Sequence, residues 1–459
     1  MHYYVSIKFI MNNMWGKALK VFIGTSVLQV SSILNFIVLA RLLTSQEFGN
    51  LRQLMLLNQV LFTVLFTAVP ISLLYFCGMF SQVNEKKEVA YKHLVLIIIC
   101  GLVCSLGIFT FRSAITDIFA NNELFELLGV FFVFPVLYML YNAVPTFLIA
   151  LDRTHLIKWY CPAIAFVNTF FVLAAAWFGD FTDVFYTIIL SAGFSAGVAL
   201  LLLSALIKQS QPGVAVDPKR LSYRQIIGYS WFLVAAALIS ILGSKIDQFV
   251  ISNKLGIDVF AIYVVGAFQI PIYSIIQSSV NSVMLPQITA HIANNEWNEL
   301  RLLWRESVNK ISLFALPLAA VLTVFSSEFI TLVFGEQYRS ASTIFLIFSL
   351  LAPIKCISFG LIFRASGKPQ YDVIGASVFL ILSSVLTLVG VSIWGPVGAA
   401  VGVVLATLLL ACMMSLMVKA HTKGEIGVFD LIPTFFFYRF FGLLSACWIF
   451  KAFGEWVLS

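Results

Sequence analysis

Charge is scarce in this chain. Asp, Glu, Lys and Arg make up 11% of its 459 residues, against about 25% in a soluble domain. No stretch is polar enough to fold as a soluble domain, and so apolar a chain is not a disordered one. Motifs that carry chemistry are missing as well. There is no Gly-rich phosphate loop, no HExxH and no DxD-type pair. The seven cysteines form no CxxC and no Cys/His cluster, and each lies inside an apolar run. They read as small buried hydrophobes rather than a disulfide or metal framework. No catalytic residue, metal site or cofactor is expected.

What remains is apolar. Hydrophobic residues make up 61% and aromatics 15%, and the mean hydropathy is +0.98. Runs of spanning length lie near 20–40, 54–79, 93–111, 127–150, 157–178, 184–207, 226–252, 259–285, 308–334, 342–363, 371–394 and 396–418. About twenty apolar residues cross a bilayer as helix. The expected fold class is therefore all-α integral membrane, with about 12 transmembrane helices. A further apolar segment at 430–453 is an extra span or an interfacial helix. Val21 to Ala40 is too long for a signal-peptide core and is expected to stay as the first helix.

The net charge of +7 points to topology rather than nucleic acid, because the basic residues sit in short loops. With the N-terminus in the cytoplasm, nineteen of the 28 basic residues fall on the cytoplasmic side and six outside. That is a strong positive-inside bias. The longest polar connections, 208–225 and 287–307, are then cytoplasmic, and 179–183 is outside. The first contains KQSQPGVAVDPKR and reads as a linker. The expected organisation is an N-lobe (1–207, spans one to six), the linker 208–225, a C-lobe (226–418, spans seven to twelve) and a C-terminal segment (419–459). The halves echo one another. Arg41-Leu42 then Glu47-Phe48-Gly49 follows span one, and Lys254-Leu255 then Asp258-Val259-Phe260-Ala261 follows span seven.

Polar residues inside spans are costly in lipid and face a cavity or another helix. Gln29 lies with Thr25, Ser32 and Asn35 in span one, and Gln59 with Arg52 and Thr63 in span two. Gln269, Tyr273, Gln277 and Asn281 recur every four residues in span eight, and Ser240, Ser244 and Asp247 share a face of span seven. These spans correspond between the halves, which favours a water-filled cleft over interhelical hydrogen bonding. Lys355 is the deepest charge, ~20 Å into its span at helical rise. The expected cavity residues are Lys355, Arg52, Gln29, Gln59, Gln269, Gln277 and Asn281. Asp247, Arg41 and Arg52 are the expected outer gate.

Several segments resemble the polysaccharide flippases of the multidrug/oligosaccharidyl-lipid/polysaccharide (MOP) superfamily, and among them the Wzx-type O-antigen and repeat-unit transporters. They are LARLLTSQEFGNLRQ (39–53), DQFVISNKLGIDVFAIYVVGAF (247–268), SSEFITLVFGEQYRSAS (326–342), RASGKPQ (364–370) and GPVGAAVG (395–402). The resemblance covers residues 17 to 418. It implies two six-helix lobes that open alternately to each side. It implies transport of an oligosaccharide on a polyprenyl pyrophosphate, as O-antigen or as a capsule or exopolysaccharide repeat unit, from the cytoplasmic to the outer leaflet. It also implies a bacterial inner membrane location. Expected partners are that lipid-linked glycan and membrane lipids, with the glycan polymerase and chain-length machinery as further candidates. An H+ or Na+ gradient or the membrane potential is the candidate energy source.

The chain departs from its relatives in two ways. Span one has no charge between Lys20 and Arg41, unlike the arginine-bearing first lobe of the lipid II flippases. Asp247 is the single acid well inside a run, whereas drug/cation antiporters of the superfamily carry acids within spans. A drug/cation antiporter on the same fold and a membrane glycan polymerase or ligase are the competing readings.

Overall fold

The computed structural model describes residues 23–66, 68–80, 82–208, 221–270, 281, 284–285, 287–368, 370–427, 430 and 434–458. Eight helices among them are long and apolar enough to cross a membrane, or ten if each of two bent pairs is one span. The longest, Gln370–His421, leaves helical geometry at Trp394 and Gly395. It is therefore two helices, over 370–393 and 396–421. The expected eighth span, 259–285, is described only in part. The described structure is helical throughout, and an integral membrane architecture follows. The chain divides into two compact units, Met1–Ile241 and Leu242–Ser459.

Unit 1 holds α1 (Ile23–Leu42), α2 (Ser45–Phe66), α3 (Ala68–Met79), α4 (Val83–Thr110), α5 (Arg112–Phe119), α6 (Leu124–Phe131), α7 (Phe134–Ala150), α8 (Ile157–Phe178) and α9 (Phe181–Lys208). Helix α10 (Tyr223–Leu255) carries the division, which falls downstream of the expected linker. Side chains explain this. Tyr229 of α10 stacks on Tyr75 of α3 at 4.5 Å, and Lys92 of α4 donates to the Leu221 carbonyl at 2.8 Å. Residues 209–220, most of that linker, lie outside the described residues, as do Lys8, Lys17, Lys20 and Gln277.

Unit 2 continues with α11 (Ile257–Gly266), α12 (Trp297–Val324), α13 (Ser326–Phe334), α14 (Ala341–Ser349), α15 (Ala352–Lys355), α16 (Gly360–Ala365), α17 (370–393), α18 (396–421) and α19 (Thr434–Leu458). Its order repeats that of unit 1. A 28-residue helix, α4 or α12, is followed by a short helix, α5 or α13. Next comes a bent pair, at 47° in α6–α7 and 46° at α14–α15. Pro135 and Pro353 stand in the first turn after each bend, where a missing N–H costs nothing. The echo after spans one and seven is also local structure. Thr44 and Glu47 form a capping box, with the Glu47 carboxylate accepting from the Thr44 amide at 2.9 Å and its hydroxyl at 2.8 Å. The second copy begins α11 after Gly256, at φ 83°. Phe48 and Phe260 are both buried behind these turns.

One boundary differs from the sequence reading. Residues 297–307, expected within a cytoplasmic loop, are the first turns of α12. Leu300, Trp304 and Ser307 repeat on one buried face there, although the segment is too charged to register as apolar. Within the terminal segment, Thr434–Leu458 is a helix, α19, and it packs along α12. Lys451 anchors it through Glu328 at 2.6 Å.

Burial follows the rule for helices in lipid. In the middle of α9 the inward positions are small: Ser191, Ala192, Ser195, Ala196 and Ala199. The outward ones are Leu190, Phe194 and Leu201. Small residues let backbones approach where no hydrophobic force pulls helices together. GPVGAAVG takes this furthest. Gly395 turns the chain at φ 59°, and a Cβ on Gly398 would strike the Gly390 backbone, as one on Gly402 would strike that of Leu386. Helices α17 and α18 are thus zipped backbone to backbone as an antiparallel hairpin.

Candidate functional site

Unit 1 holds a partly open cavity of about 200 Å³ among α1, α2, α7, α8 and α9. Leu28, Ser31, Ser32, Asn35, Phe36 and Leu39 share one face of α1 and form one wall. Phe48, Leu51, Arg52 and Met55 do the same on α2. The remaining walls carry Tyr138, Tyr141 and Asn142 of α7, Asn168 of α8 and Ser191 of α9.

Neighbouring groups fix several of these side chains. Asn142 donates to the Tyr138 carbonyl at 2.9 Å, and Ser195 donates to Asn168 at 3.3 Å. Ser31 donates to the Ala165 carbonyl at 3.3 Å and also meets Thr169. The opposite face of α2 is pinned as well. Asn121 donates to Asn50 at 2.7 Å and Gln53 at 2.6 Å, and Asn50 donates to Glu123 at 2.6 Å. That network fixes the rotation of α2 that turns Arg52 into the cavity.

Arg52 is the one charged residue in the cavity wall among the described residues. Its guanidinium carbon lies 4.7 Å from the centre of the Phe36 ring, in cation–π contact. Its Nε is enclosed and has no hydrogen-bond partner among the described residues. The Asn35 side-chain oxygen is also enclosed and unpartnered. A donor and an acceptor behind the cavity wall are thus buried and unpartnered among the described residues, which carries a cost.

The other expected residues are placed as follows. Gln29 and Gln59 are exposed and outside this cavity, on other faces of α1 and α2. Arg41 is exposed at the end of α1. Gln269 is exposed just past α11. Asn281 lines a space of about 10 Å³ with Trp304, Ser307, Cys356 and Ser358, room for about one water. Lys355, next to Cys356, ends α15 at the 46° bend. It is half-buried, and its ammonium meets no carboxylate among the described residues. Asp247 is 5% exposed and accepts a hydrogen bond from Tyr263 at 2.7 Å, within unit 2.

Of the expected cavity set, the unit 1 cavity collects Arg52 alone, together with Ser32 and Asn35 from the polar face of span one. Tyr138, Tyr141, Asn142 and Asn168 were not expected. Their signal was legible: three polar residues at 138, 141 and 142 share a face of span four, and Asn168 interrupts the run AFVNTFF. No group of three or more His, Cys, Asp or Glu side chains that could hold a metal occurs among the described residues.

Residues 38–343 match the family model described as polysaccharide biosynthesis protein. No curated protein sequence gives a significant match. Among solved structures, the lipid II flippase MurJ in an inward closed conformation is similar at TM-score 0.68 and 12% identity, covering 95% of this chain and 99% of that one. A multidrug resistance MATE transporter of the MOP superfamily, facing inward, gives TM-score 0.66 at 12% identity, over 88% of this chain and 98% of that one. A MOP superfamily transporter from Pyrococcus furiosus gives 0.58 at 13%, over 89% and 94%. At such identities the likeness is one of fold. With the family match over two thirds of its length, the chain belongs to the polysaccharide biosynthesis protein family, on the fold of the MOP superfamily transporters.

Proposed function

We propose that the protein is a flippase that moves a polyprenyl-pyrophosphate-linked oligosaccharide from the cytoplasmic to the outer leaflet, by alternating access between its two units. The observation that carries this is the unit 1 cavity: a guanidinium, three asparagines and several hydroxyls, with no carboxylate in its wall among the described residues, in a chain of the polysaccharide family. A glycan cannot cross hydrocarbon because its hydroxyls would be left unsatisfied. A polar interior removes that barrier while the polyprenyl tail stays in lipid. A cation antiporter would be served by a carboxylate in the cavity. The buried acid Asp247 is instead held by Tyr263.

On this reading Lys355 supplies positive charge toward the pyrophosphate. The protein is a transporter rather than an enzyme. It sits in a bacterial inner membrane with its N-terminus in the cytoplasm, and an ion gradient or the membrane potential drives it. A strain lacking the protein is the test. Mass spectrometry of its lipids should find the complete polyprenyl-linked repeat unit accumulated. Accumulation of undecorated polyprenyl phosphate, or of nothing, would refute the reading.

A further inference from the structure

We propose that α19 is a further membrane span, parallel to α12, and that it shields from lipid the break in the helix beside Lys355. The proposal goes beyond the transport reading and does not depend on it.

Three polar ties give the direction of α19. Asp430, just before the helix, pairs near the start of α12 with Arg305 at 2.9 Å and Arg301 at 3.6 Å. Arg439 donates to Asn309 further along α12. Lys451 donates to the Val324 carbonyl at the end of α12 at 3.2 Å, and pairs with Glu328 of α13 at 2.6 Å. Partners on the two segments are 125, 130 and 127 residues apart in the chain. A nearly constant separation belongs to helices that run the same way. From Arg305 to Val324 the rise is about 28 Å as helix, close to the roughly 30 Å of hydrocarbon in a bilayer. A helix lying in the interface stays at one depth. Helix α19 instead touches both ends of a helix long and apolar enough to cross.

Hydropathy alone does not select α19, because Arg439 and Lys451 lie within it. Both cations are held by α12 and α13, and residues 440–450 between them carry no charge. Phe441, Trp448, Ile449 and Phe450 face outward, exposed.

The inner face of α19 shows what the span is for. Residues 356–359, between α15 and α16, are not helical, and they lie at the depth of Lys355. Backbone outside a helix is tolerated at membrane depth only where protein covers it. Helix α19 packs on α15 as well as on α12. Phe440, 3% exposed, joins the buried cluster of Ala352, Cys356, Ile357 and Phe359, and Leu443 and Leu444 pack against it. Without this face, the break would meet acyl chains.

Two measurements on the full-length chain test the proposal. In a variant with the seven cysteines changed to alanine, one new cysteine is placed at Ala293, before α12, or appended after Ser459. An impermeant maleimide is added to spheroplasts, and again after permeabilisation. The appended cysteine should react at once and Ala293→Cys only after permeabilisation. The reverse pattern would support the crossing and refute only the assigned orientation. Labelling of both in intact spheroplasts, or of neither, would overturn the proposal. The second measurement keeps the native cysteines. Protein in bilayers containing a lipid with a diazirine at mid-acyl chain is irradiated, and adducts are mapped by mass spectrometry. Adducts should fall on Phe441–Phe450 and spare residues 356–359. Phe440→Ala should raise labelling of 356–359 by about fivefold or more, and Phe440→Leu should leave it low. An α19 without adducts would overturn the span. Labelling of 356–359 in the wild type equal to that of α19, or unchanged by Phe440→Ala, would overturn the shield.

Discussion

Tyr263 donates its hydroxyl to Asp247 at 2.7 Å, and the two side chains are 0% and 5% exposed. The bond ties α10 to α11 across Gly256. Removing the donor leaves a buried carboxylate short of a partner, at about 1–3 kcal/mol. Tyr263→Phe should therefore lower the thermal transition in detergent more than Asp247→Asn, which keeps an acceptor for the hydroxyl. A Tyr263→Phe protein as stable as wild type would show that the bond contributes nothing.

Gly398 has a different role. Its α-carbon lies against the Gly390 backbone, leaving no room for a side chain. Gly398→Val should force α17 and α18 apart, and overpacking of this kind costs about 1–3 kcal/mol. Gly442, which meets nothing within 4 Å, is the control for a harmless substitution. Fluorescence-detected size-exclusion chromatography should show monodisperse protein lost for Gly398→Val and retained for Gly442→Ala.

Thr44→Ala removes one half of the capping box that starts α2. The expected loss is about 1 kcal/mol. Because α2 carries Arg52 into the cavity, transport should fall with stability, and Thr44→Ser should restore both. Unchanged stability in Thr44→Ala would mean that packing alone sets the start of α2.

Lys355 ends α15 at the bend with no carboxylate on its ammonium among the described residues. Lys355→Ala should reduce glycan export at normal protein abundance, and Lys355→Arg should retain part of it, since charge survives while geometry changes. Full export by the alanine protein would remove Lys355 from the mechanism.

The sequence made the helices legible because twenty-residue apolar runs have no other stable form in lipid. It made the paired halves legible only faintly. The repeat lies in bends, short helices and the placement of Pro135 and Pro353, which sequence similarity between the halves does not carry. Helix α12 extends past its apolar run because Leu300, Trp304 and Ser307 bury a face that hydropathy averages away. At the site, Arg52 was legible as a charge in a span. Its turn toward Phe36 and Asn35, and the opposite turn of Gln29 and Gln59, depend on how α1 and α2 rotate. That rotation is set by contacts such as Asn121 with Asn50 and Gln53, which are about seventy residues apart in the chain.

The most direct measurement is transport itself. Purified protein would be reconstituted into vesicles bearing a polyprenyl-pyrophosphate-linked oligosaccharide in both leaflets. An impermeant glycosidase would be added outside, and the fraction cleaved followed in time. The flippase reading predicts that cleavage passes the outer-leaflet share and approaches completion. It also predicts that Arg52→Gln slows the second phase by tenfold or more. Cleavage that stops at the outer-leaflet share, with the protein folded and inserted, would contradict it.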